Sequence, residues 1–585
     1  MKIFVELLKS INKSDQNFFI FLIFLSIISM FFEVLSISLI IPILGALTDN
    51  TQTLFPEFIL NYLNLNYDNI NTDIIFKTAL IILLIVFFIK TIFQFFYVWI
   101  QNYYIQSLRL FFSNRLMKKY INQPWIFFLN RNSSELIRNV HSEAPIISAT
   151  LNNYIQVCTE VILILGFFIL LLITTLIPTL VVGSIILLNA VIFLIFFKNK
   201  NKNWGFIRQK LVGRVINHVQ QMVGAIRDIK IFKKEIFYLE KFKIDNEAAA
   251  KISVKVNILF ASPKIIFELV AITIFVFGCL ALFNIGYSVS EILMTIGIFG
   301  AVSLRLMPSI IRLIAFLQKI RNSIPACELI LSEFKNLNFD KVSFENEKVV
   351  FNKSLSINNV SYSYPSSEKQ SIRNISLEIN KGDKVGIIGK SGSGKSTLID
   401  IIVGLLIPDQ GSVEIDEKNI KKNIMGWQDK IAYVSQNIFL FDDTILNNIA
   451  IGEKNEDIDL KRIKEILKIS KLDDFVNNLD NGIETIVGER GLRISGGEKQ
   501  RIGLARALYK DSEIIVFDEA TNSLDVHTEE EFMNDINNLG DSKTVIIVAH
   551  RLTIIKNCDK VHLVNNGEIL KSGNFSTIID SFNRL

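Results

Sequence analysis

Six long apolar runs, at residues 18–47, 74–104, 155–177, 180–197, 265–283 and 292–316, leave this chain few folds to choose from. Each is long enough to cross about 30 Å of hydrocarbon as a helix, and after Pro325 they stop. The composition agrees: half of the 585 residues are hydrophobic, 46 are Phe, and 20% are charged. That is too apolar for an ordinary soluble protein and too charged for one wholly immersed in lipid. The expectation is a membrane part of six helices followed by a soluble part. The first run is too long for a cleaved leader and should remain as a span. A net charge of +5 gives no reason to expect a nucleic-acid partner. Cys158, Cys279, Cys327 and Cys558 are scattered, lack metal-ligand spacing and read as inert packing residues.

Basic residues set the orientation. The connection after the second run carries Arg109, Arg115, Lys118, Lys119, Arg131 and Arg138; the one after the fourth carries Lys198, Lys200, Lys202, Arg208, Lys210, Arg214 and Arg227. Residues 49–73 and 284–291 hold no Lys or Arg. Both basic connections and both termini are therefore expected in the cytoplasm, with helices continuing well beyond the membrane. Residues 1–16 place Ile3, Leu7, Leu8 and Ile11 at helical spacing, which suits a helix lying on the membrane surface. Phe55, Phe58, Ile59, Tyr62 and Leu63 suit a second such helix on the outer face. A tight turn at Pro178 should join the third and fourth spans.

Cations inside apolar spans carry more information, because each costs several kcal/mol unless paired or facing water. Lys90, Lys264, Arg305 and Arg312 are four such cations, against the acids Glu33 and Glu268. The surplus points to a water-filled cavity that receives an anion; structural pairing with those acids and snorkelling to the interface are the alternatives.

The soluble part opens on short strands and helices of an α/β nucleotide-binding pattern. Its centre is Gly389-Lys390-Ser391-Gly392-Ser393-Gly394-Lys395-Ser396-Thr397, between an apolar strand and a helix start. Glycines let successive N–H groups converge on phosphate, Lys395 reaches the β/γ-phosphates and Ser396 holds Mg²⁺. Ile514-Ile515-Val516-Phe517-Asp518-Glu519 ends an apolar strand in two acids, Asp518 for Mg²⁺ through water and Glu519 to polarise the attacking water. A second such strand delivers His550, placed to contact the γ-phosphate. Between the phosphate loop and these strands, Ser495, Gly496 and Gly497 offer a hydroxyl and backbone donors at a helix start.

With these motifs in this order, the chain resembles the ATP-binding cassette (ABC) transporters of exporter type across essentially its whole length. The resemblance implies an α-helical transmembrane domain of six long helices at 1–330, a linker at 331–353 and an α/β P-loop ATPase cassette at 354–585. It implies Tyr364 stacking on adenine, Gln436 touching Mg²⁺, Ser495-Gly496-Gly497 as the signature, and Asp525 in the loop after the catalytic glutamate. Residues 123–128 and 224–228 look like the coupling helices that dock on cassettes, and residues 485–491 resemble the segment that contacts the partner's membrane domain. It further implies ATP and Mg²⁺ as cofactors, a homodimer in which one subunit's signature closes over the other's phosphate loop, membrane lipids around it, and a bacterial inner-membrane location. The signature departs from the family pattern: Ile494 keeps an apolar contact, while Glu498 places a negative charge near the phosphate site.

The subgroup it looks most like is the bacterial flippases for lipid-linked oligosaccharides. Glu33 with Ser36-Ile37-Ser38-Leu39-Ile40-Ile41-Pro42, Arg305-Leu306-Met307-Pro308 with Arg312, and the outer amphipathic segment carry that likeness. It implies that Lys90, Lys264, Arg305 and Arg312 handle the pyrophosphate of an anionic lipid-linked substrate. Export of other lipids, peptides or drugs on the same scaffold is the alternative.

Overall fold

The computed structural model describes residues 2–39, 72–174, 176–286, 289–337, 349–365, 367, 369–520, 543–549 and 551–583. It divides into two compact units. The outer amphipathic segment, Pro42, the 338–348 part of the linker, Asp525 and His550 lie outside the described residues.

The first unit comprises residues up to Gln123 and from Asn130 to Phe339. Six long helices build it: Lys13–Ser38, Thr72–Ile121, Ala144–Thr174, Leu176–Gly224, Glu235–Ile285 and Val289–Asn336. The last carries the unit past residue 330. Among the described residues, five helices are long and apolar enough to cross a membrane, with mean hydropathies of 2.2 to 2.8 over their best windows. Four of the six hold 48 to 51 residues. At about 1.5 Å per residue that is about 75 Å, more than twice the hydrocarbon thickness, so these helices project far beyond it.

Proline placement differs from the sequence expectation. The helix after the third span restarts at Leu176, so Pro178 sits in its first turn instead of forming the connection. There its missing N–H leaves no helical bond unmade. Pro263 lies inside the continuous helix Glu235–Ile285. It frees the Leu259 carbonyl, and the Ser262 hydroxyl donates to that oxygen at 3.0 Å.

The N-terminal helix Lys2–Ser10 also departs from expectation. Leu7 and Ile11 are buried in protein, and Phe4 packs its ring on Phe19 and Tyr154. Part of its apolar face packs on the helix bundle. Lys119, itself buried, donates to the Phe334 and Leu337 carbonyls at 2.5 and 2.6 Å, satisfying the C-terminal end of Val289–Asn336.

The second unit comprises Pro124–Leu129 and Asp340–Leu585. The helix Trp125–Leu129, at the first expected coupling segment, sets Ile126 against this unit's apolar core. The second such segment forms the helix Ile226–Ile231 in the first unit and leaves Ile226, Ile231 and Phe232 exposed.

Two sheets make up the second unit. β1 (Ser354–Tyr362), β2 (Ile372–Asn380), β4 (Gln410–Ile415) and β5 (Lys418–Asn419) form an antiparallel sheet in the order β2-β1-β4-β5. The other runs β10-β9-β3-β8-β7-β6, with β3 (Lys384–Ile388), β6 (Ile431–Val434), β7 (Ile514–Asp518), β8 (Thr544–Ala549), β9 (Lys560–Asn565) and β10 (Glu568–Gly573). Within it β6, β7, β8, β3 and β9 are parallel, and β10 pairs antiparallel with β9. Register aligns Ile388 of β3 with Ala549 of β8, and Asp518 of β7 with Val548 of β8. The carboxyl ends of these strands therefore meet on one edge, where α/β folds bind ligands.

Candidate functional site

The phosphate loop leaves β3 at Gly389. A Cβ on Gly389 would collide with the Val564 carbonyl oxygen, so only glycine fits. Gly394 has φ of +105° and opens the helix Lys395–Ile402. The Lys395 ammonium curls back into the loop, donating to the Gly389 and Lys390 carbonyls at 2.9 and 3.1 Å. Burial pulls its pKa down, and the charges of Glu519 and Asp518 oppose that shift. The Ser393 hydroxyl is buried with no hydrogen-bond partner among the described residues. An inward-curled lysine, an orphaned hydroxyl and a side-chain-free cradle fit a triphosphate. Tyr364, half-buried, has its hydroxyl 3.2 Å from that of Thr397 at the start of the same helix, which suits the adenine-stacking position.

The acids arrive from β7. Asp518 is buried and accepts the Tyr433 hydroxyl at 2.9 Å. Glu519 follows with φ of +50°, and its carboxylate accepts from the Gln436 amide at 2.6 Å. Gln436 and Glu519, expected as separate functions, are thus joined. Ser396, exposed at the helix start, with Asp518 and Gln436 is an oxygen donor set that suits Mg²⁺. Two residues beside the nucleotide site escaped sequence reasoning. Tyr433 is one, and a polar-tipped residue in the apolar strand that delivers Gln436 was its only signal. Asp400 is the other; burial, then the charge of Asp518, push its pKa up to about 6.

Ser495 caps the helix Gly496–Tyr509, with Gly496 and Gly497 as its first two residues. That helix packs into one apolar cluster through Ile502 and Ala505, against Ile445, Leu446, Ile463 and Leu467, and into a second through Leu504 and Ala507, which also holds Ile388 at the end of β3. The phosphate loop is carried by the sheet core that contains Val385, Ile387 and Leu398, and Ile388 just before it shares a cluster with the signature helix.

The membrane cations need a correction. Lys90 is buried and ion-pairs with Glu33 at 2.5 Å, so its charge is used within the fold. Arg312 forks onto Glu160, with Nη2 3.2 Å from Oε2 and 3.0 Å from the Ser309 hydroxyl. Glu160, a single acid in the third span, was missing from the charge count. The physical reason is the cost of an unpaired cation among apolar groups, which a buried acid offsets. Arg312 stays half-exposed while Glu160 is buried. Lys264 is exposed, and the side chain of Arg305 lies outside the described residues.

Comparison with known proteins agrees with this architecture. The ABC transporter transmembrane region family matches residues 19–306, and the ABC transporter family matches residues 372–522. The ATP-dependent lipid A-core flippase of Salmonella typhimurium is 30% identical over 387 residues, 66% of this chain and 65% of that protein. The flippase of the same description from Escherichia coli (strain K12) is 30% identical over 388 residues, with the same coverage. The aligned region thus spans 65% of the length of these relatives. A solved structure of a bacterial Atm1-family ABC exporter with ATP bound shares the fold, with a TM-score of 0.78 at 20% identity, over 98% of this chain and 97% of that one. A helical membrane unit fused to an ATPase unit, with phosphate loop, signature and acid pair in this order, makes this chain a member of the ABC transporter family.

Proposed function

We propose that this protein hydrolyses ATP to move an anionic lipid-linked substrate, a polyprenyl-pyrophosphate oligosaccharide, across the bacterial inner membrane. The half-exposed guanidinium of Arg312 on a membrane helix is the observation that carries the substrate class. Its Nε and Nη2 are committed to Glu160 and Ser309, which fixes the plane of the fork and leaves Nη1 to meet a phosphate. Exposed Lys264 adds a second cation, and Arg305 is placed on the same helix as Arg312, seven residues away. Lipid flippases among the relatives support the same class of cargo.

The working form is a homodimer. One membrane unit and one cassette per chain suit a site closed by a second copy. Backbone N–H groups of residues 389–394 cradle the phosphates, Lys395 swings from its loop carbonyls onto them, and Glu519 takes the proton of the attacking water. Ser396, Asp518 and Gln436 would hold Mg²⁺, which would neutralise phosphate charge. Gln436 must first leave Glu519, which links readiness for hydrolysis to the segment after β6. The exposed apolar face of Ile226–Ile231 suits docking on a partner cassette. The basic connections support a cytoplasmic location for the ATPase unit and both termini.

ATPase stimulation in lipid nanodiscs tests the cargo. Polyprenyl-pyrophosphate glycans should stimulate hydrolysis, and lipid A-type lipids, peptides and drugs should not. Stimulation by one of those other classes alone would replace the substrate assignment. Arg312→Ala with Glu160→Gln, which avoids stranding a buried carboxylate, should abolish the stimulation.

A further inference from the structure

Glu498 stands at the third position of the signature helix, and its carboxylate is engaged. Glu498 Oε2 accepts the Ser495 backbone N–H at 2.8 Å and the Ser495 hydroxyl at 2.7 Å, while the Ser495 hydroxyl oxygen accepts the Glu498 N–H at 3.3 Å. One carboxylate oxygen thus takes both donors that Ser495 possesses. The backbone half of this arrangement is a capping box, which a glutamine would form equally well. The hydroxyl half is not required for capping. A serine hydroxyl has a single proton and serves one anion at a time.

We propose that Glu498 is a positioning residue that holds the Ser495 hydroxyl in reserve. Its carboxylate occupies, in the open state, the donor that the closed site offers to a nucleotide phosphate. Closure on ATP then requires the hydroxyl to turn from one anion to another, so Glu498 raises the ATP concentration at which cassettes close. The inference rests on the reading that Ser495 meets the partner subunit's nucleotide. Sequence alone placed a charge near the phosphate; the geometry assigns that charge a bond to break. Charge-assisted O–H···O⁻ bonds are about twice as strong as neutral ones, so the carboxylate competes where a neutral amide would yield.

The test uses the full-length protein in nanodiscs, with cassette closure followed by a distance probe in a Glu519→Gln parent and KM and kcat measured with Glu519 intact. Glu498→Gln keeps the cap and should lower the half-saturating ATP concentration about fivefold, mainly through KM. Glu498→Asp keeps the charge but shortens the reach, and it should shift in the same direction. Wild-type behaviour of Glu498→Asp would mean simple charge repulsion and would overturn the latch. In a Ser495→Ala background, Glu498→Gln should add no further shift; an undiminished shift there also overturns it. If saturating ATP fails to close the cassettes of the Glu519→Gln parent, the dimer reading fails and the proposal falls with it. Closure by that parent with no effect of Glu498→Gln sinks the proposal alone.

Discussion

Glu519 is held in the left-handed region, at φ of +50°, a conformation that costs a non-glycine residue about 1–2 kcal/mol. Its N–H donates to the Val548 carbonyl of β8 at 3.0 Å, so the sheet itself supports the strain. Glu519→Gln should keep ATP binding and lower the hydrolysis rate by a factor of about 10²–10⁴, read as phosphate release against nucleotide affinity. A second residue makes a stability prediction. His562 on β9 is buried with Nδ1 2.7 Å from the Ser572 hydroxyl; burial first, then Lys560, pull its pKa down to about 4. The unfolded chain takes up that proton near about pH 6.5, the folded one only near 4. ATPase-unit stability should therefore fall as pH drops from about 6.5 to 4, by up to about 3 kcal/mol. His562→Gln should flatten that part of the pH dependence of thermal unfolding; an unchanged slope would assign the acid sensitivity to other groups. Legibility differed at this scale. Lys395, Asp518 and Ser495 follow from fixed spacings. Glu160, Tyr433 and Asp400 act through partners on other elements, and one-dimensional spacing does not encode those contacts.

At the scale of elements, β3, β7 and β8 were readable because parallel strands buried on both faces appear as unbroken apolar runs. The membrane helices were readable only in part. Hydropathy registers contact with lipid, not helix length, so the span read as 265–283 is the end of a helix that begins at Glu235. Proline misled at Pro178 because a residue that breaks a helix interior is accommodated in its first turn. Pro263 shows the other compensation. If the Ser262 hydroxyl replaces the missing donor to Leu259, Ser262→Ala should cost about 1 kcal/mol and lower the melting temperature of the membrane unit. Restoring the N–H with Pro263→Ala should then make Ser262→Ala neutral. Equal costs in both backgrounds would mean that the serine contributes by packing alone.

For the whole molecule, the question is whether an ATP site is completed within one chain or between two. The chain carries one phosphate loop and one signature, and Glu498 keeps the signature's own donor engaged. Both features suit a site finished by a second copy, and subunit mixing separates the alternatives. Lys395→Ala disables the loop side and Ser495→Ala the signature side, so each homodimer has both sites damaged. A heterodimer of the two, isolated by different tags, concentrates both lesions in one site if sites form between chains, leaving the other intact. If each site forms within one chain, every site in that heterodimer carries one lesion. Recovery of ATP hydrolysis in the purified heterodimer, above that of either homodimer, is the expected outcome. Activity no higher than the homodimers would place loop and signature in the same subunit's site and remove the basis for dimer-driven closure.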